Sequence, residues 1–499
     1  YEGGMRTMTE TAKKKRGMPS SFTILLALLA IVAVITVIVS GTSGGAVTAA
    51  RLSDFCTAPI LGFADALPVC LFVMILGGFL GMMTETGALD NGIAVLVQKL
   101  KGNEIMLIPV LMLIFSLGGT TYGMCEETVP FYALLAATMM AAGFDPMVGA
   151  ATVLLGAGCG CLGSTVNPFA VGAAVDALTG VGIEVNQSII IGLGAVLWIV
   201  TTAMSIVFVM NYAKKVKADK GSTILSMQEL KDAEEAHGKA ASEVHKEVKL
   251  TGRQKGVLIA FAFTFVVMIV GFIPLADLNE GVANFFDAGA VYDADGNAVV
   301  QGWSALITGL PIGQWYFDEA STWFFLMAVL IGIIGGLSEK QIVNTFITGA
   351  ADMMSVVLVI ALARGISVLM ANTGLDVYVL DAAAKALAGL SGVIFAPMSF
   401  LVYFGLSFLI PSTSGMATVS MPIMGPLAVK LGFSPEVMVM IFSSAIGVVN
   451  LFTPTSGAIM GGLALAKIEW TTWLKFALKL IVALSVVCAI ILTVACVML

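Results

Sequence analysis

Long apolar runs alternate with short polar interruptions along the whole chain, and the interruptions carry most of the information. A helix rises 1.5 Å per residue, so about 20 apolar residues reach across a hydrocarbon core of roughly 30 Å. Crossings are predicted at Ser21–Val39, Ala66–Met83, Gln187–Met210, Val257–Ile273, Trp323–Ile334, Met354–Met370 and Phe476–Val497. Ile105–Leu117 is shorter, about 13 residues or near 20 Å, and is predicted to enter and turn back. An amphipathic stretch, Leu375–Leu390, precedes a second run of this kind, Phe395–Ile410.

Two polar interruptions resemble each other. Ser116-Leu117-Gly118-Gly119-Thr120-Thr121-Tyr122-Gly123-Met124-Cys125-Glu126-Glu127-Thr128-Val129-Pro130 aligns with residues 408–422, so that Thr121 meets Thr413, Gly123-Met124 meets Gly415-Met416 and Pro130 meets Pro422. Non-helical backbone sits at membrane depth only where protein buries it or where it lines a wet cavity. These stretches are therefore predicted as the tips of two re-entrant hairpins, residues 104–143 opening inward and 392–432 opening outward. The return legs are Pro130–Ala142 and Met421–Leu431. Each hairpin is followed by a helix predicted to break in mid-membrane. Pro146–Leu162 breaks at Gly163–Pro168, and Val437–Val449 breaks at Asn450–Gly457 before Ala458–Ala466.

The likeness extends beyond the tips. Gly78 matches Gly365, Thr86-Gly87 matches Thr373-Gly374, Gly143-Phe144 matches Gly432-Phe433 and Pro146 matches Pro435. Two halves of four crossings plus a hairpin, with one crossing between them, have opposite orientation. That is an inverted-topology repeat, the plan of many secondary transporters. The fold class predicted is an all-α polytopic membrane protein. Its layout is a tag remnant and cytoplasmic tail (1–20), a first repeat (21–212), a cytoplasmic linker (213–254), a connecting span (255–274), an extracytoplasmic loop (275–320) and a second repeat (321–499).

Composition agrees: 58% of residues are apolar and 11% charged, against roughly 25% charged in soluble proteins. The net charge of −7 says little, because orientation follows the placement of Lys and Arg. Lys13–Arg16, Lys99, Lys101, Lys214, Lys215, Lys217, Lys340, Lys467 and Lys475 all fall on one predicted side, which puts the N-terminus in the cytoplasm and the C-terminus outside. The linker helix, Met227–Glu247, reads as a solvated connector. In the acidic loop, residues 292–297 read as a hairpin turn. Seven cysteines without zinc-ligand spacing read as packing residues. The two histidines, His237 and His245, lie in the linker, which removes an HExxH metalloprotease.

The chemistry sits in the breaks. Glu126 and Glu127 occupy the first tip, where a carboxylate costs roughly 2.5–3.5 kcal/mol on insertion scales and marks function by default. Arg364 interrupts an apolar run where its repeat mate is Gly77, so it needs an acidic partner, Glu126 or Glu127, or a substrate carboxylate. Asn167 and Ser164 in one break, and Thr453, Thr455 and Ser456 in the other, sit where exposed helix ends bind small charged groups. Asp65 reads as interfacial. Residues 156–165 lack the Lys of a phosphate loop, and no nucleophile–base pair lies in a span. An enzyme, a nucleotide or nucleic-acid binder and a cofactor protein are therefore not expected.

The segments 118–128, Gly163-Ser164-Thr165-Val166-Asn167-Pro168-Phe169, Ala363-Arg364-Gly365-Ile366, Pro411-Ser412-Thr413-Ser414-Gly415 and Thr453-Pro454-Thr455-Ser456-Gly457 resemble the C4-dicarboxylate anaerobic carrier and YfcC-like basic amino acid antiporter family of the ion-transporter superfamily. The resemblance runs from about Arg16 to Leu499. It implies a homodimer in the lipid bilayer of the inner membrane, with a scaffold domain and a mobile transport domain working as an elevator. It implies substrate contacts at Glu126, Glu127, Thr121, Tyr122, Gly123, Asn167, Ser412, Thr413, Ser414, Thr455 and Ser456. Sodium ligands are implied among Thr120, Ser164, Asn167, Thr453 and Ser456, with sodium or proton coupling. Two carboxylates facing helix ends suit a basic amino acid such as arginine, ornithine or lysine. The alternative is a C4-dicarboxylate or other carboxylate carrier with Arg364 on substrate; a channel or membrane sensor is the other class.

Overall fold

A computed structural model describes residues 21–499 except 90, 93–94, 96–102, 244–248, 274, 279, 294–297, 409 and 411. The predicted tail 1–20, Lys99, Lys101, His245, Pro411 and most of the turn at 292–297 lie outside the described residues. Strands β1 (Val291–Tyr292) and β2 (Ala298–Val300) pair antiparallel on either side of that turn. Among the described residues everything else regular is helical, and eight of those helices are long and apolar enough to cross a membrane.

Two series of helices run in the same order. The first is α1 (Ser21–Ser40), α2 (Leu52–Asp65), α3 (Leu67–Glu85), α4 (Leu107–Tyr122), α5 (Val129–Ala141), α6 (Pro146–Leu162), α7 (Ala173–Thr179) and α8 (Gln187–Ala218). After α9 (Met227–Glu243), α10 (Gly252–Phe272), α11 (Leu275–Leu278) and α12 (Glu280–Phe286), the second begins at α13 (Phe317–Gly335). It continues with α14 (Glu339–Asp352), α15 (Met354–Thr373), α16 (Leu375–Leu387), α17 (Gly392–Leu406), α18 (Thr413–Lys430), α19 (Pro435–Val449), α20 (Gly457–Leu465) and α21 (Trp470–Met498).

Packing is reciprocal between the series. Helices α1 and α2 lie on α15 of the other half, and α13 and α14 lie on α3. Likewise α5 packs on α20 and α18 on α7. Glycines set the two short-helix crossings. A Cβ on Gly62 would stand 2.3 Å from the Gly365 nitrogen, and one on Gly349 would stand 2.4 Å from the Gly77 carbonyl and 3.0 Å from Gly78 Cα. Gly62 and Gly349 are repeat mates, as are Gly78 and Gly365, so one close backbone approach is built twice.

The short helices α2 and α14 were not expected from the sequence. Pro59 interrupts the α2 pattern, and α14 opens with Glu339 and Lys340 behind a Ser338 cap, so neither reads as an apolar run. The two broken helices fall where predicted. Asp145 before Pro146 and Ser434 before Pro435 cap α6 and α19 by accepting from Val148 N–H at 3.1 Å and Val437 N–H at 3.3 Å. Both helices are buried along nearly their whole length, and they pack on one another at the centre of the molecule.

The hairpin legs differ from expectation. The helical stretch Glu104–Tyr122 is 19 residues, long enough to cross, so length gives no argument for re-entry of Ile105–Leu117. Gly118 to Tyr122 stay helical because Gly119 lets α4 press on α6, its missing Cβ 2.2 Å from the Ala157 carbonyl. The second tip is also narrower than predicted, since α18 already begins at Thr413. The linker is no solvated connector either. Helix α9 packs on α5, buries Ala233, and His237 Nε2–H donates to the Leu465 carbonyl at the end of α20 at 3.1 Å. Glu229 accepts from the Glu469 N–H at 2.9 Å.

Candidate functional site

A cavity of about 290 Å³ opens where both tips and both broken helices meet. The first tip begins at Gly123, which ends α4 in the left-handed region at φ +81°. Met124 and Cys125 follow as loop, and Glu126–Thr128 form a single turn leading into α5. Glu127 is buried, and its Oε2 accepts the Cys125 N–H at 3.0 Å, which shapes the tip around its own carboxylate. Glu126 is half-buried, and both carboxylates line the cavity.

Three helix starts face the same space. Asn167 Oδ1 accepts the N–H groups of Phe169 and Ala170 at 2.9 and 3.3 Å and so opens the stretch leading to α7. Ser412 accepts the Gly415 N–H at 3.1 Å and caps α18. Ser456 stands at the start of α20 without capping it, and it lines the cavity. Helix N-termini carry partial positive charge, so the wall offers a place for an anionic group without a full cation.

Among the described residues, the one guanidinium lining the cavity belongs to Arg364 on α15. Its partner is not Glu126 or Glu127, as expected, but Asp65, with Arg364 Nε to Asp65 Oδ2 at 3.1 Å. Asp65 is the last residue of α2 and lines the cavity, so it is not merely interfacial. The tight α2–α15 crossing at Gly62 and Gly365 brings the two side chains together.

Of the expected substrate residues, Glu126, Glu127, Gly123, Asn167, Ser412, Thr413, Ser414, Thr455, Ser456 and Arg364 all line this cavity. Thr121 does not; its hydroxyl donates to Leu117 O within α4 at 2.6 Å. Tyr122 is buried against Phe272, ring centroids 5.4 Å apart, and its hydroxyl has no partner among the described residues. The expected sodium ligands fall into two groups, one per break. Thr120 donates to Gly163 O at 2.6 Å and Asn167 Nδ2 donates to Ser164 Oγ at 2.9 Å. Thr453 and Thr455 pair their hydroxyls at 2.7 Å.

Phe169, the end of the 163–169 motif, and Phe317, which sequence reasoning missed, stack at 5.4 Å and form an aromatic wall. Sequence reasoning also missed Ser443, a cavity residue on α19 whose buried hydroxyl has no partner among the described residues. Cys125, expected at the pocket wall beside the tip, and Cys161, read as a packing residue, line the cavity as free thiols. Nothing in local pattern marks Phe317, Ser443 or Cys161. Asp65 had a signal, because Asp352 ends α14 at the matching place.

The family model of the C4-dicarboxylate anaerobic carrier (DcuC) matches residues 46–497. A Haemophilus influenzae protein with no assigned activity is 28% identical over 445 residues, which cover 89% of this chain and 78% of the relative. An Escherichia coli K12 protein, YfcC, provisionally named a basic amino acid antiporter, is 27% identical over 440 residues, 86% and 77% of the two chains. Among solved structures, Neisseria gonorrhoeae MtrF, described with a class of antimetabolite efflux pumps, aligns over 97% of this chain and 96% of its own at 16% identity and TM-score 0.43. The Alcanivorax borkumensis YdaH transporter aligns over 95% and 98% at 15% identity and TM-score 0.46. At these scores neither structure carries an argument about this one.

Proposed function

The chain belongs to the C4-dicarboxylate anaerobic carrier family and is a multi-pass membrane transporter; within that family we propose that it exchanges or imports basic amino acids of the arginine, ornithine and lysine type. The observation that carries this reading is the cavity's charge. Glu126, Glu127 and Asp65 share it with one guanidinium, an arrangement that suits a substrate with more cation than anion. The cationic groups sit on Glu126 and Glu127, and the α-carboxylate on the helix starts at Asn167, Ser412 and Ser456. The relative named as a basic amino acid antiporter supports the same class.

The same proposal covers the working of the protein. The two tips are re-entrant from opposite sides, α4–α8 and α17–α21 form the moving part with α3 and α15 on the scaffold, and alternation is elevator-like. In support, a small separate cluster of Ala66, Val69, Cys70, Val73, Val129, Met353, Val356, Val357, Ile360 and Ala458 lies between those parts, and short apolar side chains make a surface that slides without breaking ion pairs. The protein sits as a homodimer in the inner membrane, with the N-terminus cytoplasmic and the C-terminus outside, coupled to sodium or protons. The candidate sodium ligands are the groups around Thr120, Ser164 and Asn167 and around Thr453 and Ser456.

Uptake of labelled arginine into proteoliposomes tests the assignment. Glu126→Gln and Glu127→Gln abolish uptake while the protein still elutes as a folded species. Unchanged uptake by both variants removes the assignment. A second reading, a C4-dicarboxylate carrier, is favoured by Arg364 at the cavity wall and by the family's name. Thermal stabilisation by succinate and not by arginine selects it, since a ligand stabilises the state that binds it.

A further inference from the structure

The cavity's guanidinium comes already engaged. Arg364 Nε is held by Asp65 Oδ2 at 3.1 Å, and among the described residues no other ion pair to Arg364 is formed. A guanidinium binds a carboxylate best through two parallel N–H groups. With Nε engaged, the edge formed by the two terminal nitrogens is left for one carboxylate. With a ligand's first carboxylate on the helix starts, a second would meet only that charge-offset edge, with Glu126 and Glu127 lining the same space.

Helix stability does not explain the placement of Asp65. It is the last residue of α2, and the C-terminal end of a helix disfavours negative charge. The other half sharpens the point. Asp352 ends α14 in the equivalent position, exposed as Asp65 is, and α3, the helix that α14 packs on, has Gly77 where Arg364 would be. The arginine was added on one side only, opposite a carboxylate that both halves possess, so it enters the cavity with its charge offset.

We propose that Asp65 sets the charge preference of the cavity: by offsetting the charge of Arg364 it weakens the guanidinium as a seat for a second carboxylate beside the helix starts and keeps the site selective for ligands with surplus positive charge. The proposal rests on the basic amino acid reading and names the residue that enforces it. Asp65 acts through Arg364 and is a positioning residue. Its removal changes which ligand is preferred, not only how well the protein works.

The test compares wild type, Asp65→Asn and Asp65→Glu in proteoliposomes, measuring KM for labelled arginine and inhibition of that uptake by succinate. Unmasking the guanidinium near a bound cation raises the arginine KM by about tenfold, and succinate, inert toward wild type, becomes an inhibitor of the Asn variant at a similar concentration. Asp65→Glu retains the wild-type preference. A purely structural ion pair would lower turnover in the Asn variant without altering the arginine-to-succinate ratio, and that result overturns the proposal. If Asp65→Asn does not reconstitute, Asp65→Ser makes the same change, read by thermal shift with arginine and with succinate; an unaltered order of stabilisation again overturns it. Wild type that carries no basic amino acid defeats the functional reading itself, whereas wild type that does, beside an unaltered Asn variant, defeats only the role of Asp65.

Discussion

Gly123 and Asn167 touch across the two polar breaks of the first half: a Cβ on Gly123 would stand 2.5 Å from Asn167 Oδ1. The same oxygen opens the stretch leading to α7, so tip and broken helix are keyed to one atom. Gly123→Ala must adopt φ near +81°, at a cost of about 1–2 kcal/mol, and must also displace Asn167. The expected outcome is a lower unfolding temperature together with a higher substrate KM. Asn167→Ala alone loses the cap, about 1 kcal/mol, and a double-mutant cycle in thermal unfolding should show the two changes to be non-additive.

Glu127 has two jobs that substitution separates. Its carboxylate accepts the Cys125 N–H at 3.0 Å, and glutamine retains an acceptor while losing the charge. Glu127→Gln should unfold like wild type and fail to transport. Glu127→Ala leaves the N–H unpaired, costing about 1–3 kcal/mol, and should lose both stability and transport in parallel thermal-shift and uptake assays.

The glycine crossings predict matched defects in the two halves. Gly365→Ala and Gly349→Ala each force helix backbones apart and should destabilise by about 1–3 kcal/mol, read as a lowered unfolding temperature in detergent. Gly192→Ala on α8 meets nothing within 4 Å and serves as the neutral control. A large effect in only one half would contradict the reciprocal packing.

Linker docking should depend on pH. Burial, with Lys467 adding to it, pushes the His237 imidazole below its ordinary value of 6.5, although its bond to Leu465 O opposes the shift. The docked form therefore binds protons less readily than the free one. Docking is fully favoured above about 6.5 and is lost as pH falls through the depressed value. Hydrogen-exchange protection over residues 227–243, relative to the intrinsic rate at each pH, should fall on acidification, and His237→Gln should flatten that dependence.

Much of this was legible in the sequence because it lies in punctuation. Pro146 and Pro435 behind capping residues start the broken helices, and the polar runs after Leu162 and Val449 end them, so local chemistry alone located both breaks. The extent of the tips was not legible. Gly118 and Gly119 read as a break, yet packing against Ala157 keeps them helical, a tertiary effect that no local pattern records. Arg364 announced its need for a partner, but Glu126 and Glu127 were nearer in apparent role than Asp65. Only the α2–α15 crossing decides between them, and α2 was hidden by Pro59. Phe317 and Ser443 were equally silent, since an aromatic at a helix start and a serine in an apolar helix are ordinary until a cavity is seen beside them.

The paired glycine crossings separate upkeep of the frame from choice of cargo. Backbone contact, repeated in both halves, holds the frame together, while the side chains that differ between halves, Glu126, Glu127 and Arg364, stand at the cavity. A duplicated ancestor could in this way acquire a new diet by exchanging a few charged residues, leaving its skeleton untouched.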